Sequence, residues 1–256
     1  MLRKGTFILM KTKIQDMTSG SPGRLIILFA IPLMLGNICQ QLYTMVDTMV
    51  AGVEALAALG AVDFLMWVVT GISTGLTQGF SIQLSQYYGA KDFENLRKSL
   101  AHSYRLTAFI AAGVLILSQS FASLVLTGLH TPSNIIGMSL LYLRIIFCGI
   151  PATAAYNMFA SALRAMGNSK TPLTAMIIAS VLNVSLDILF VAGFGWGVAG
   201  AAIATVIAQS FSAVYCFLIL RRIDIVHLTR ADFMPASGMN ARLMKLGIPV
   251  VFQNII

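Results

Sequence analysis

The chain has 256 residues, of which 57% are hydrophobic and only 10% charged, with a net charge of +8 and a mean hydropathy of +0.84. Soluble domains carry about a quarter charged residues, so this composition excludes an ordinary soluble protein and reads as an all-α integral membrane protein. The excess of basic residues does not signal nucleic acid, because lysines and arginines are not interleaved with aromatics in one patch but punctuate the gaps between apolar segments.

In chain order, the stretch between Lys4 and Lys11 is too short for the apolar core of a signal peptide. Residues 1–23 therefore read as a tail ahead of the first membrane helix. Six apolar stretches follow: roughly Leu25 to Val50, Leu59 to Tyr87, Leu106 to Leu126, Ile135 to Leu163, Pro172 to Phe194 and Val198 to Leu220. Each has the roughly 20 residues that a crossing needs. A seventh begins near Arg242 and is still running at Ile256, which reads as a fragment of a longer chain. The expected organisation is a six-helix lobe over 24–222, a linker over 223–241 and the start of a seventh helix over 242–256.

The connections carry local signals. Gly89 ends the second span, and Asp92 caps a short amphipathic piece, Phe93 to Lys98, that leads into the third. Gly149 and Pro151 predict a kink in the fourth span. Gly167 and Asn168 end that span, Thr171 caps the next, and Pro172 opens it. In the sixth, Gly200, Ala204 and Ala208 form a small-residue ridge that admits a close neighbour. Cys39, Cys148 and Cys216 lie apart inside apolar segments and read as small buried hydrophobes.

Sixteen of the 17 lysines and arginines fall in the N-terminal tail and in the second, fourth and sixth connections. By the positive-inside rule these are cytoplasmic, which puts the N-terminus in the cytoplasm of a cell-membrane protein. The exception is Arg144, about ten residues into the fourth span. It either faces a polar cavity or snorkels, or else it partners a membrane carboxylate.

Of the carboxylates inside apolar spans, Asp47 and Asp187 stand out, each within a stripe of uncharged polar residues at helical spacing. Ionisable groups in lipid are costly and mark ion or substrate pathways. Asn37, Gln40, Gln41, Thr44, Asp47 and Thr48 share one face of the first helix. Asn183 and Asp187 share a face of the fifth. At 1.5 Å per residue, Asp187, Thr205 and Tyr142 all lie about 10 Å from the outer end, with Asp47 somewhat shallower. The second span carries its own stripe of Thr74, Thr77, Gln78, Ser81 and Ser85, which suits packing or cavity lining. Ile31-Pro32 and Asn37-Ile38 are echoed by Ile248-Pro249 and Asn254-Ile255, as expected where a second repeat of the same orientation begins.

These residues resemble the N-terminal half of a MATE (multidrug and toxic compound extrusion) transporter, nearer the DinF-like branch. The marks are Val46-Asp47-Thr48, Gln86-Tyr87-Tyr88-Gly89-Ala90, Leu163-Arg164-Ala165-Met166-Gly167-Asn168 with Thr171-Pro172, Leu182-Asn183-Val184-Ser185-Leu186-Asp187, and the run from Gly197 to Thr205. The resemblance implies twelve helices in two lobes and export of drug-like molecules from a central cavity, driven by a cation. It implies a cation-coupling site at Asp47, Asn183, Asp187 and Thr205. Tyr142 and Asn157 match further cavity positions, and Asn37, Gln40, Tyr43 and Thr44 complete the expected substrate cavity. No cofactor and no enzymatic activity are implied; the partners are membrane lipid, the drug-like substrate and the C-terminal lobe.

A carboxylate that drives antiport must change protonation or ion occupancy at accessible pH, whereas an unperturbed Asp titrates near 3.9. Desolvation and a second nearby carboxylate both raise such values, and a strongly interacting pair titrates as a unit. Two carboxylates with an amide and a hydroxyl also supply hard oxygen ligands for Na⁺, so the residues fit either H⁺ or Na⁺. The rivals are a lipid-linked sugar flippase of the same superfamily, for which Arg144 is the one candidate cavity cation, and a non-transporting scaffold or channel. An intramembrane aspartyl protease is rejected because neither aspartate follows Gly-x-Gly.

Overall fold

The structure is a computed structural model; it describes the backbone of residues 53–255 apart from 130, 132, 134 and 235–237, side chains from residue 65 onward, and scattered positions between 23 and 41. Seven helices are continuous enough to label: α1 Val53–Gly89, α2 Phe93–Gly128, α3 Ile136–Cys148, α4 Ile150–Ala165, α5 Lys170–Asp187, α6 Gly197–Arg221 and α7 Met239–Ile255. Single described positions of the first span, among them Pro32 and Asn37, are also helical. Among the described residues, three helical stretches are long and apolar enough to cross a membrane: Phe93–Gly128, Lys170–Gly193 and Gly197–Arg221. The bent pair α3 and α4 makes a fourth if it is one crossing.

That bend measures 44° and falls at Gly149, where the sequence signals of Gly149 and Pro151 put it. Pro151 withholds an N–H from the helical ladder. Space is the second reason for glycine: a Cβ there would lie 2.7 Å from Val206 Cγ2 of α6.

Other boundaries differ from the expected ones. The Asp92 carboxylate does accept from the Asn95 N–H at 3.1 Å, but the helix it caps runs unbroken from Phe93, so the short amphipathic piece and the third span are one element. The left-handed residue after α1 is Lys91, at φ 58°. Thr171 is not a cap. It lies inside α5 and donates its backbone N–H to Asn168 Oδ1 at 3.1 Å. Gly167, at φ 80°, closes α4 as expected. At its far end α5 widens into a π-helical turn, Ile188–Gly193.

Two faces of α1 do different jobs. Gly71, Gly75 and Gly79 make a flat strip against α7: a Cβ on Gly75 would sit 2.6 Å from Val251 Cα, and one on Gly79 would run into the Gly247 Cα. Small-xxx-small strips of this kind bring helix backbones together in apolar surroundings, where dispersion replaces the hydrophobic drive. The neighbouring face carries Thr70, Thr74, Gln78, Ser81 and Ser85 and is turned to a cavity. Several of these hydroxyls bond to carbonyls one turn back, as Thr70 does to Met66 at 2.7 Å and Ser81 to Gln78 at 2.7 Å. They therefore line the cavity without an unmet donor.

The core of the bundle gathers Phe80, Leu84, Leu96, Leu100, Leu163 and Leu220, all nearly inaccessible. The outer surface is apolar instead, with Phe109, Ile116, Phe121, Val181 and Val214 exposed. A soluble protein rarely exposes so much; a lipid-facing belt must. Cys216 is fully buried, but Cys148 is exposed at the end of α3, where its sulfur accepts from Gln119 Nε2 at 3.3 Å. A thiol is apolar enough to face hydrocarbon, so an apolar segment did not fix which side it took. Cys39 lies outside the described residues.

Between α6 and α7, the chain lies against the N-terminal part of α2. His102, 2% exposed, touches Met234 O through Nε2 at 3.0 Å and Asn240 Oδ1 through Nδ1 at 2.7 Å. Arg105 donates to Phe233 O at 3.0 Å, and Arg97 approaches Asp232 at 3.9 Å. The basic second and sixth connections thus meet at one end of the bundle.

Candidate functional site

α5 and α6 bring three of the four expected cation-coupling residues onto adjoining helix faces. Asn183 and Asp187, one turn apart, are both buried, at 1% and 0% exposure. Their faces turn inward because the opposite face of α5, with Ile177, Val181 and Ile188, is the exposed apolar one. Asn183 Nδ2 donates to Thr205 Oγ1 of α6 across 3.4 Å. The close approach rests on the small-residue ridge: Gly200, Ala204 and Ala208 are buried, and a Cβ on Gly200 would lie 3.0 Å from Phe190 Cβ. Asp187 is the last α-helical residue before the π turn. Local widening of that kind recurs at functional sites.

Beside Asn183 lies a small cavity of about 20 Å³, walled by Asn183, Thr205, Tyr156, Gln209 and Ser212. That is room for about one water or one small cation. The Asn183 Oδ1 atom, buried, meets no protein donor among the described residues. A larger polar cavity of about 650 Å³ adjoins it. Tyr156, Met176 and Gln209 are walls of both, so the small cavity and the large one are separated by a single layer of side chains.

Asn37 and Asn157 line the large cavity, together with the α1 stripe. Tyr142 lies elsewhere, buried in the apolar cluster around Leu143, Phe147, Val198 and Ala202. Asp47, Gln40, Tyr43 and Thr44 lie outside the described residues.

Arg144 is exposed on the outside of the bundle, and no described carboxylate pairs with it. It is therefore not a partner of Asp187 and not a wall of the large cavity. The cation that lines that cavity is Arg164, in the last turn of α4. Gln209 and Tyr156 were also missed by sequence reasoning. Gln209 follows Thr205 by one turn on the same helix, which is the pattern that singles out polar residues in an apolar span.

The family model described as MatE matches residues 32–189. The chain belongs to the MATE family. It is 31% identical over 248 residues to the probable multidrug resistance protein YpnP of Bacillus subtilis, covering 95% of this chain and 56% of that one. It is 25% identical over 241 residues to the probable multidrug resistance protein NorM of Thermotoga maritima, covering 90% and 51%. Among solved structures, a crystal structure of MATE in the straight conformation superposes with a TM-score of 0.87 at 25% identity, covering 95% of this chain and 56% of that chain. An outward-facing MATE transporter of the MOP superfamily superposes at 0.86 with 25% identity, covering 92% and 53%. The chain thus spans about half the length of the MATE relatives it matches.

Proposed function

We propose that this chain supplies the N-terminal six-helix lobe, residues 24–222, of a cation-coupled exporter of drug-like compounds, with 223–241 as the inter-lobe linker and 242–256 opening the second lobe. The observation that carries the reading is Asp187, a fully buried carboxylate on the same face as Asn183, whose amide reaches Thr205 at a small cavity one side-chain layer away from a cavity large enough for a drug-sized molecule. A carboxylate is retained in such a place against its desolvation cost when its charge is used. The names of the relatives, probable multidrug resistance proteins, support the substrate class.

In this reading the coupling ion, H⁺ or Na⁺, is bound by Asp187 and Asn183 with Thr205, and Asp47 is the fourth contributor. The substrate occupies the polar cavity beside Asn37 and Asn157. Ion and drug favour opposite-facing states of the two lobes, and each displaces the other by its differential affinity for those states. The N-terminus and the even connections face the cytoplasm, in keeping with the basic residues gathered at one end.

A lipid-linked sugar flippase would need several cations to hold a pyrophosphate. The described walls of the cavity hold one, Arg164, which favours the drug exporter. The test is efflux of a fluorescent cationic dye by the complete transporter, with the pH and Na⁺ gradients imposed separately. Efflux that follows one gradient supports the reading; dye movement indifferent to both rejects cation coupling.

A further inference from the structure

The large cavity has a polar but nearly uncharged wall. Its described lining residues include Asn37, Gln78, Asn157 and Gln209 and no carboxylate; the one charged side chain among the described residues that line it is Arg164. Arg164 is partly buried. Its Nη2 donates to Ser161 Oγ at 3.1 Å, one turn back on α4. Among the described residues, Tyr156 and Cys216 feel its charge, and no described carboxylate lies within ion-pair distance. A guanidinium carries five donors in a fixed planar fork. One bond to Ser161 takes one of those donors, on a side chain that lines the cavity.

A cation taken partly out of water is costly unless something pairs with it. In most protein settings the pair is an aspartate or glutamate a few ångströms away. Here the described surroundings offer only hydroxyls, amides and the cavity itself. The planar fork matches a carboxylate in a bidentate manner, with both oxygens accepting. The remainder of the cavity offers amides and hydroxyls for a polar body, and Ile82, Ala165 and Met176 for an apolar one.

We propose that Arg164 is the anion-recognition point of this cavity, and that its ligands include amphiphiles bearing a single carboxylate held against the guanidinium. The proposal rests on the reading of the 650 Å³ cavity as the substrate cavity. It adds a polarity to that cavity: the anionic group lies at the α4 end, and the rest of the ligand extends toward Gln209 and the small cavity beside Asn183.

The test is equilibrium binding to the complete transporter in detergent, read by fluorescence anisotropy. The probes are a xanthene dye with a free carboxylate and its ethyl ester. The wild type binds the acid about tenfold or more tightly than the ester at low salt, the discrimination expected of one charge-assisted bidentate contact. Arg164→Gln lowers acid affinity far more than ester affinity, bringing the ratio toward one, and Arg164→Lys restores part of it. A wild-type ratio near one overturns the proposal without any variant, as does an undiminished ratio in Arg164→Gln. Ester binding with no preference for the acid sinks this inference alone. Failure of the wild type to bind either dye removes the substrate-cavity reading as well.

Discussion

Asp187 and Asn183 illustrate how little a side chain's position along an apolar span says about its surroundings until the opposite face is known. Val181 and Ile188 look outward, so Asn183 and Asp187 look inward. Replacing Thr205 by Val keeps the shape and removes the oxygen that Asn183 reaches. The expected outcome is weaker coupling-ion affinity, seen as a right-shifted dependence of efflux on ion concentration, with normal membrane insertion. A Thr205→Val transporter with an unchanged ion dependence would take Thr205 out of the site. At the surface, the Asn95 side chain and backbone N–H hold the Asp92 carboxylate below its ordinary value of 3.8. A lowered folded-state value means that the cap stabilises α2 above the unfolded titration and is lost as pH falls through the folded one. Amide protection at the start of α2, taken relative to the intrinsic exchange rate at each pH, is therefore expected to fall in acid, and Asp92→Asn to flatten that dependence.

At the scale of helices, the tightest joint is between α1 and α7. Gly79 lies on the Gly247 backbone and Gly75 on Val251, so even alanine meets main chain that cannot move aside. Overpacking of this kind typically costs about 1–3 kcal/mol. Gly79→Ala is expected to lower thermal stability by that order, measured by unfolding in detergent, whereas Gly113→Ala, with open space around it, is the control. Equal stability for both would deny the joint. The kink at Gly149 and Pro151 was legible in the sequence because proline and glycine act through the backbone alone. The side of the helix taken by Cys148 and Arg144 was not, since an apolar stretch with lipid on one side and protein on the other gives a nearly uniform pattern. For the same reason the stripe on α1 read as lining or packing alike, and only the position of α7 on the glycine face decided that the hydroxyl face was free to border the cavity.

For the whole molecule, the chain matches about half of each MATE relative, and α7 packs across α1, which in the proposed two-lobe exporter is the first contact of the second lobe with the first. The segment between α6 and α7 is tied to α2 through His102, Arg105 and Arg97. On the proposed reading, transport needs both walls of a cavity of which this chain supplies one. Expressed alone, the 256 residues are expected to insert but to give no dye efflux. The family and the inward-facing polar residues were accessible from order and spacing in the sequence. The division of the site was not: Asn183 and Thr205 border a cavity of about 20 Å³, Asn37 and Asn157 a much larger one, and Tyr156 and Gln209 stand between them. That separation depends on how α4, α5 and α6 cross, which no local pattern encodes.

The central claim is that the buried carboxylate of Asp187 links cation movement to export. It is tested most directly by dye efflux from proteoliposomes of the complete transporter carrying Asp187→Asn, compared with wild type at matched protein density, pH and Na⁺. The account predicts that the variant inserts normally and still binds dye, yet loses efflux driven by the cation gradient. Gradient-driven efflux at the wild-type rate in Asp187→Asn would contradict it.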